Sequence, residues 1–178
     1  MTSRTGPLRA AAWRVLLVGG GHAHVEVLRR FARDPDPAIS LVLVSPDADT
    51  AYSGMLPGLV AGLYTPREAH IALPPLAAAA RAPWIADQVT ALDLGERCAV
   101  LAGATRVAFD LVSLDVGSVP DATVPGAREH AIPVKPVSAF LRQWDALRAR
   151  AAAGEVRRIV VVGGGAGGVE ILLAMQAR

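Results

Sequence analysis

The sequence has 178 residues and a formal net charge of +2, from 18 basic and 16 acidic side chains, which gives no support for a nucleic-acid partner. Its hydrophobic fraction is 52% with only 4% aromatic residues, which favours a helix-covered sheet with an aliphatic core over an aromatic-rich sandwich. The single cysteine, Cys98, excludes an internal redox disulfide and indicates a reducing, cytoplasmic setting, and no apolar run reaches the roughly 18 residues of a transmembrane segment.

The N-terminal region predicts a βαβ unit. Residues 15–18 form an apolar run typical of a buried parallel strand, and the glycines at 19–21 form a turn into a helix with apolar residues at spacings of three and four. A second buried strand is predicted over 39–45. We expect the polar and then Gly/Pro-rich stretch 46–58 to be a loop.

The middle region predicts a short helix and a small antiparallel sheet. The alanine-rich residues 74–81 begin with proline, which the first turn of a helix tolerates. Three short strands are predicted within 85–94, 97–101 and 106–109, joined by glycine-containing turns as a meander. Residues 111–115 predict one more buried strand.

The C-terminal region contains a second copy of the first glycine turn. Four prolines between 120 and 136 predict a linker, and one apolar stripe predicts a helix over 137–151. Residues 159–172 then repeat 15–28 at a constant offset, as strand, three glycines and helix. Because the copies are separated by most of a domain's length, they indicate two similar domains rather than a solenoid.

Both glycine runs have the context of a dinucleotide pyrophosphate site. A first glycine permits the tight turn, a second lets the backbone approach the phosphates, and the N–H groups of the helix start favour negative charge. The second run, with Gly163, Gly165 and Gly168, is a complete fingerprint. The first run is incomplete because His24 stands where the third glycine belongs, and an ordinary glycine turn remains an alternative for it.

Few other residues suggest binding or catalysis. Ser45 stands at the strand end where an acid usually binds the ribose, and Asp47 lies just beyond it. Either side chain can bind a ribose hydroxyl, and simple turn formation explains both equally well. The four histidines have no cysteine or carboxylate at a metal-ligand spacing, so we expect no metal site.

Four motifs in the same order resemble those of a known group of flavoproteins. They are Gly19-Gly-Gly-His-Ala-His-Val-Glu26, Tyr52-Ser-Gly-Met-Leu-Pro-Gly-Leu-Val-Ala-Gly62, Leu114-Asp-Val-Gly-Ser118 and Ile132-Pro-Val-Lys-Pro136. With the paired glycine turns, they resemble the FAD-dependent pyridine nucleotide-disulfide oxidoreductase superfamily. Within it, they are most similar to type II NADH dehydrogenase-like flavoproteins, in the branch related to the flavoprotein domain fused to selenide, water dikinase.

The resemblance implies an α/β fold of the FAD/NAD(P)-binding Rossmann-like kind. Its parallel sheet would carry helices on one face and an antiparallel β-meander on the other. It also implies an FAD-binding domain over 12–118, a linker over 119–136, and a helix plus the truncated start of an NAD(P)H-binding domain over 137–178. We therefore expect the chain to be the N-terminal portion of a larger protein.

The resemblance further implies which residues contact the cofactors. Residues of the first glycine turn would surround the FAD pyrophosphate, and those of the second would hold NAD(P)H. The implied contacts are Gly19, Gly21, His22 and Ala23 with the pyrophosphate, Ser45 with the adenosine ribose, the backbone of Val89 with adenine, Val116 and Gly117 with a second part of FAD, Met55 and Leu56 with the isoalloxazine, Lys135 with the flavin or its phosphates, and Gly163, Gly165 and Gly168 with NAD(P)H. Core packing explains Val89, and a solvated linker explains Lys135, about as well as cofactor contact does.

The implied function is that of an FAD-dependent NAD(P)H oxidoreductase, a dehydrogenase that passes hydride from NAD(P)H to FAD and on to an acceptor such as a quinone. No side chain need act as a catalytic acid or base, because the redox chemistry belongs to the cofactor. Two alternatives remain, a flavin-free NAD(P)-binding Rossmann dehydrogenase and a non-catalytic nucleotide-binding module.

We also expect the 178 residues alone to be inactive and to hold FAD weakly or not at all. An incomplete second domain would leave the apolar side chains of Val169, Leu172 and Leu173 without a sheet to cover them. Homodimer formation or disorder near the C-terminus is the expected consequence. Peripheral membrane contact stays open for the complete protein.

Overall fold

The computed structural model describes residues 13–121 and 123–178. Their strands are β1 Trp13–Val18, β2 Ile39–Val44, β3 Asp49–Ala51, β4 His70–Ala72, β5 Trp84–Ile85, β6 Val89–Asp93, β7 Cys98–Leu101, β8 Arg106–Ala108 and β9 Leu111–Leu114. Their helices are α1 His22–Arg33, α2 Leu56–Ala61, α3 Pro66–Ala69, α4 Leu73–Ala79, α5 Ala127–His130, α6 Val137–Ala152 and α7 Ala166–Ala177.

The chain forms two compact units. The first contains the described residues up to Thr50 together with Ala72–Gly117, and the second contains Ala51–Ile71 together with the described residues from Ser118 to Arg178. The chain crosses between the units within β3 and β4, which pair with each other. The functional domain limits expected from the sequence stay predictions.

A parallel sheet forms the centre of the first unit, with strand order β5-β2-β1-β9. Val15 of β1 lies opposite Leu41 of β2 on one side and Leu111 of β9 on the other. The carboxyl ends of these three strands therefore meet at the same edge of the sheet. The predicted βαβ unit is confirmed, but the sequence interpretation placed Ile85 in the meander, whereas it pairs with Val44 as part of the parallel sheet.

The two faces of this sheet are covered by different elements. Leu17 packs on the helix side, with Leu28 of α1 and Leu73 of α4 in one buried cluster. Its neighbour Leu16 points to the opposite face, in a second cluster that includes Leu101 of β7. The strands β6, β7 and β8 pair antiparallel in that order. Because side chains alternate along a strand, the parallel sheet packs against helices on one face and against the meander on the other. The predicted fold class is confirmed.

Helices form the core of the second unit. Buried side chains of α2, α6 and α7 make one cluster, which consists of Leu56, Val60, Phe140, Trp144, Ile171 and Ala174. The predicted helix from Val137 is confirmed.

The predicted loop 46–58 is wrong in part, because it contains β3, a short 3₁₀ turn at Ser53–Met55 and the start of α2. Leu56 and Val60 are four residues apart and bury the same face of α2, which outweighs the local Gly and Pro signals.

The predicted strand at 159–162 does not form. This stretch carries no ladder pairing, and Val162 is 91% exposed. A β-strand needs a neighbouring strand for its backbone hydrogen bonds, and the described part of the second unit offers none to this stretch. The following helix α7 does form, and Val169, Leu172 and Leu173 on it are exposed as expected. Self-association through them stays a prediction.

A four-residue helix, α5, lies inside the predicted linker. Among the residues that the structure describes, no helix is both long and apolar enough to span a lipid bilayer.

Candidate dinucleotide-binding site

The first glycine turn lies at the carboxyl edge of the parallel sheet and is fixed by backbone hydrogen bonds. The N–H of Gly19 donates to the carbonyl of Val44 at 2.8 Å, and that of Gly21 donates to the carbonyl of Asp115 at 3.2 Å. Gly19 has φ +91°, a conformation that side chains disfavour. A Cβ at Gly19 would also collide with the backbone carbonyl of Asp115. The turn therefore needs glycine at this position for internal packing alone.

Asp115 caps the helix that follows this turn. Its Oδ2 accepts hydrogen bonds from the N–H groups of Ala23 at 2.9 Å and His24 at 3.3 Å, in the first turn of α1. That turn contains no acidic residue of its own. A carboxylate at a helix N-terminus is stabilised by unpaired N–H groups and by the helix dipole. The sequence analysis did not predict this role. The signal that could have indicated it is an acidic residue directly after the buried strand β9.

His24 occupies the position of the missing third glycine and is only 1% exposed. Its Nδ1 lies 2.7 Å from the carbonyl oxygen of Gly19, and its Nε2 lies 2.9 Å from Oγ of Ser113. Because a carbonyl oxygen can only accept, Nδ1 carries a hydrogen and donates it to Gly19, while Nε2 and the Ser113 hydroxyl form the second hydrogen bond. The buried imidazole thus joins the glycine turn to β9. A serine within the apolar run 111–114 was the signal for such a partner.

The predicted ribose contact lies beside the first turn. Ser45 is 4% exposed, and its hydroxyl donates to the carbonyl of Asp47 at 3.1 Å. A Cβ at Gly20 would lie 3.3 Å from Ser45 Oγ, which shows how near the hydroxyl is to the turn. Asp47 is exposed. Both candidates are therefore at the expected edge, and in this structure the serine closes a local turn.

The remaining candidates of the first unit differ in accessibility. Val89 on β6 is half-buried and pairs with Leu101, against the meander side of the core. Val116 is exposed, and Gly117 has φ +73° with open space where a Cβ would stand. His22 and Ala23 are exposed in the first turn of α1. The structure places His22, Ala23, Val116 and Gly117 at the carboxyl edge of β1 and β9 and places Val89 in the meander.

Three predicted contacts lie in the second unit. Met55 is half-buried in the 3₁₀ turn, while Leu56 is buried in the helical core of that unit. Lys135 is exposed, and its Nζ donates to Oγ of Ser118 at 3.0 Å. Leu56 therefore has a packing role that accounts for its burial. The proposed cofactor contacts of all three residues stay predictions.

The second glycine turn has the same backbone form as the first. Gly163 has φ +113°, and Gly165 precedes α7 with φ −72° and ψ 167°, close to the φ −67° and ψ 174° of Gly21 before α1. A Cβ at Gly163, Gly164 or Gly165 would meet nothing within 4 Å. A Cβ at Gly168 would collide with the carbonyl oxygen of Gly163. The third glycine of this fingerprint therefore permits close packing of helix and turn.

Two acidic groups in the first unit have strongly lowered pKa values, and each is paired with arginine. Hydrogen bonds from Arg29 and Arg30 lower the pKa of Glu26 to about 2. Hydrogen bonds from the side chain and backbone of Arg14 lower the pKa of Asp110 to about 2. Both carboxylates form ion pairs on the protein surface. We therefore assign them a structural role and not a role in ligand binding.

Comparison with known proteins identifies the group to which this arrangement belongs. The profile of the pyridine nucleotide-disulphide oxidoreductase family matches residues 13–178. The chain belongs to this family. The resemblance stated from four motifs is confirmed at the level of the superfamily. No curated sequence matches the chain significantly.

Solved structures of other proteins share the fold of this family member. They include the sulfide:quinone oxidoreductase of Aquifex aeolicus, with a TM-score of 0.66, 16% identity and coverage of 79% of this chain and 32% of that one. The NADH:rubredoxin oxidoreductase of Clostridium acetobutylicum has a TM-score of 0.70, 16% identity and coverage of 93% and 42%. The water-forming NADH oxidase of Lactobacillus brevis, determined with bound NADH, has a TM-score of 0.70, 20% identity and coverage of 93% and 37%. The chain thus spans between 32% and 42% of the length of these proteins, and at such identities the likeness establishes the fold alone.

Proposed function

We propose that this chain forms the FAD-binding part, and the first portion of the NAD(P)H-binding part, of an oxidoreductase that passes hydride from NAD(P)H to FAD and on to an acceptor such as a quinone. The observation that carries the proposal is the pair of glycine turns at helix N-termini in a member of this family. The type II NADH dehydrogenase-like subtype, the link to the branch fused to selenide, water dikinase, and a cytoplasmic or membrane-peripheral location belong to the same proposal.

The first turn has donors that suit a pyrophosphate. The N–H groups of Ala23 and His24 already bind an anionic oxygen, that of Asp115, at 2.9 and 3.3 Å. Phosphate oxygens bind helix N-termini through the same kind of donor. Gly19 and Gly21 would give the backbone access, and Ser45 would lie next to the ribose. When bound, the flavin supplies the hydride chemistry, and the residues of the chain hold and orient it.

The second turn suits a nicotinamide dinucleotide. Gly163, Gly164 and Gly165 present an open backbone surface at the start of α7. The N–H groups of that helix start would hold the pyrophosphate of NAD(P)H. One of the solved structures is named for sulfide and a quinone, and another for NADH and rubredoxin. For this protein we propose NAD(P)H as the donor and a quinone as the acceptor.

The test of the binding assignment is a fluorescence titration of the chain with FAD. We expect weak, saturable binding by the parent chain and none by Gly21→Val, because the added side chain would fill the space over the turn. The matched variant Gly165→Val should leave FAD binding unchanged. Circular dichroism establishes that each variant is folded. Unchanged FAD affinity in a folded Gly21→Val chain would remove FAD from the first turn and favour the flavin-free alternative.

The test of completeness is anaerobic mixing of the FAD-loaded chain with NADH while the flavin band near 450 nm is followed. We expect no bleaching, because the second turn lacks a sheet in the described chain and Val160 and Val162 beside it are exposed. Rapid stoichiometric bleaching would show that these residues already form a complete catalytic unit.

A further inference from the structure

The N-terminus of α1 is held by an anion that belongs to the protein itself. Oδ2 of Asp115 accepts from two helix N–H groups, those of Ala23 and His24. A Cβ at Gly21 would collide with the Asp115 carboxylate, so this carboxylate covers the face of the turn that a phosphate must approach. A carboxylate and a pyrophosphate cannot both occupy these donors, and their negative charges repel each other.

The backbone of Asp115 is fixed, so only its side chain can leave. The Asp115 N–H donates to the carbonyl of Val18 at 2.8 Å, and its own carbonyl accepts from the N–H of Gly21 at 3.2 Å. These bonds continue the pairing of β9 with β1. Rotation of the side chain would open the helix start without moving either strand.

None of the described residues obstructs the second glycine turn in the corresponding way. Its glycines 163, 164 and 165 have open space where a Cβ would stand. The residue types alone do not distinguish the turns in this respect, since both consist of three glycines after an apolar run. The first turn is closed by a residue that is 92 positions away from Ala23.

We propose that Asp115 competes with the dinucleotide pyrophosphate for the N-terminus of α1 and so sets the affinity of the first turn for FAD. The inference rests on the proposed function, because it takes FAD as the ligand of this turn. Asp115 stabilises the ligand-free chain and weakens binding by the same contact. It acts as an affinity-determining residue, and it gives a physical reason for the weak FAD binding that we expect of the chain.

The experiment compares FAD dissociation constants of the parent chain with those of Asp115→Ala and Asp115→Asn. We expect about tenfold tighter binding for Asp115→Ala, the effect expected when one helix cap and one like charge no longer oppose the ligand. Asp115→Asn should be intermediate, because asparagine keeps an acceptor at the cap and loses the charge. If Asp115→Ala does not fold, Asp115→Asn alone tests the charge component, with an expected gain of a few-fold.

Asp110→Ala is the matched control. Asp110 and Asp115 flank β9 on either side, and both substitutions change the net charge equally. Asp110 pairs with Arg14 at 2.9 Å at the amino end of the strand, so its removal should leave FAD affinity unchanged. An equal gain in Asp110→Ala would reduce the effect to net charge and overturn the inference.

Two further outcomes separate the inference from the function on which it rests. If the parent chain binds FAD and the Asp115 variants bind no more tightly, or more weakly, then Asp115 is only a structural cap and the inference fails alone. If neither the parent chain nor a folded Asp115 variant binds FAD, both proposals fail.

A structural cap would lower the thermal midpoint of the ligand-free variant without any gain in affinity, whereas competition requires both changes. Amide NMR signals of Ala23 and His24 should also shift when FAD displaces the carboxylate.

Discussion

The two glycine turns have nearly the same backbone and different surroundings. Gly21 and Gly165 precede their helices with almost identical φ and ψ, and Gly19 and Gly163 both have positive φ. The first turn is packed by other parts of its unit, whereas the second is exposed. The glycines of the first turn are therefore required by the fold itself. Around Gly163, Gly164 and Gly165 of the second turn, by contrast, a Cβ would meet none of the described residues within 4 Å.

The third glycine position sharpens this contrast. In the second turn, Gly168 lies so close to the carbonyl of Gly163 that a Cβ would collide with it. In the first turn, the corresponding carbonyl of Gly19 accepts a hydrogen bond from the His24 ring at 2.7 Å. In the second turn, the missing side chain of Gly168 therefore allows the helix to pack closely on the turn. In the first turn, the buried imidazole of His24 connects the helix to the turn by a hydrogen bond.

The largest expected difference between the turns concerns their first glycines. We expect Gly19→Ala to lower the free energy of unfolding by about 4 kcal/mol, from strain at positive φ and from a collision with the fixed backbone of Asp115. Gly163→Ala has the strain alone and should cost about 2 kcal/mol. Urea unfolding followed by circular dichroism measures both. Equal losses would mean that the packing around the first turn does not distinguish the two.

A smaller effect should follow when the first turn is converted to a complete fingerprint. We expect His24→Gly to destabilise the chain by about 3 kcal/mol, because it removes a buried side chain and leaves the Gly19 carbonyl and the Ser113 hydroxyl without partners. Ser113→Ala should then cost about 1 kcal/mol less in the His24→Gly background than in the parent. A neutral His24→Gly variant would show that the imidazole has no bridging role. Additive losses would argue against the hydrogen bond to Ser113.

The smallest expected effect concerns the glutamates that occupy equivalent positions on the two helices. Glu26 accepts from Arg29 and Arg30, whereas Glu170 is followed at the same spacings by Leu173 and Ala174. The pKa of Glu26 is lowered to about 2 from an ordinary 4.5. A lowered pKa gives stability that is present above the ordinary value and is lost as the pH falls through about 2.

Unfolding of Glu26→Gln, Glu170→Gln and the parent chain at several pH values between about 6 and 2 measures this contribution. The free energy of unfolding of the parent should be slightly larger than that of Glu26→Gln, and this difference should disappear across the acid range. The difference should also be smaller at high salt because the ion pairs are exposed. Glu170→Gln is the control for removal of one carboxylate from a helix that has no arginine at these spacings. A Glu26→Gln variant that follows the parent would show that the surface pairs contribute nothing measurable.

Local patterns predicted the elements that build the site. Residues 15–18 and 39–45 were recognised as buried strands because apolar runs of this kind suit a parallel sheet that is covered on both faces. The stretch 159–162 has the same pattern and forms no strand, since pairing depends on a neighbour that local sequence does not supply. Ile85 was assigned to the wrong sheet for a related reason. A two-residue strand has too few positions for a period to be recognised.

Local sequence was enough to predict the first strand, glycine turn and helix, the second glycine turn with its helix, the meander, the α/β class and the superfamily, because burial period, turn residues and ordered motifs are local properties. The surroundings of each glycine turn depend instead on tertiary contacts. The register of β9 against β1 places Val18 opposite Leu114, and this register brings Asp115 to the start of α1 and Ser113 to His24. Contacts between residues about ninety positions apart depend on strand pairing across the sheet, which no local pattern encodes.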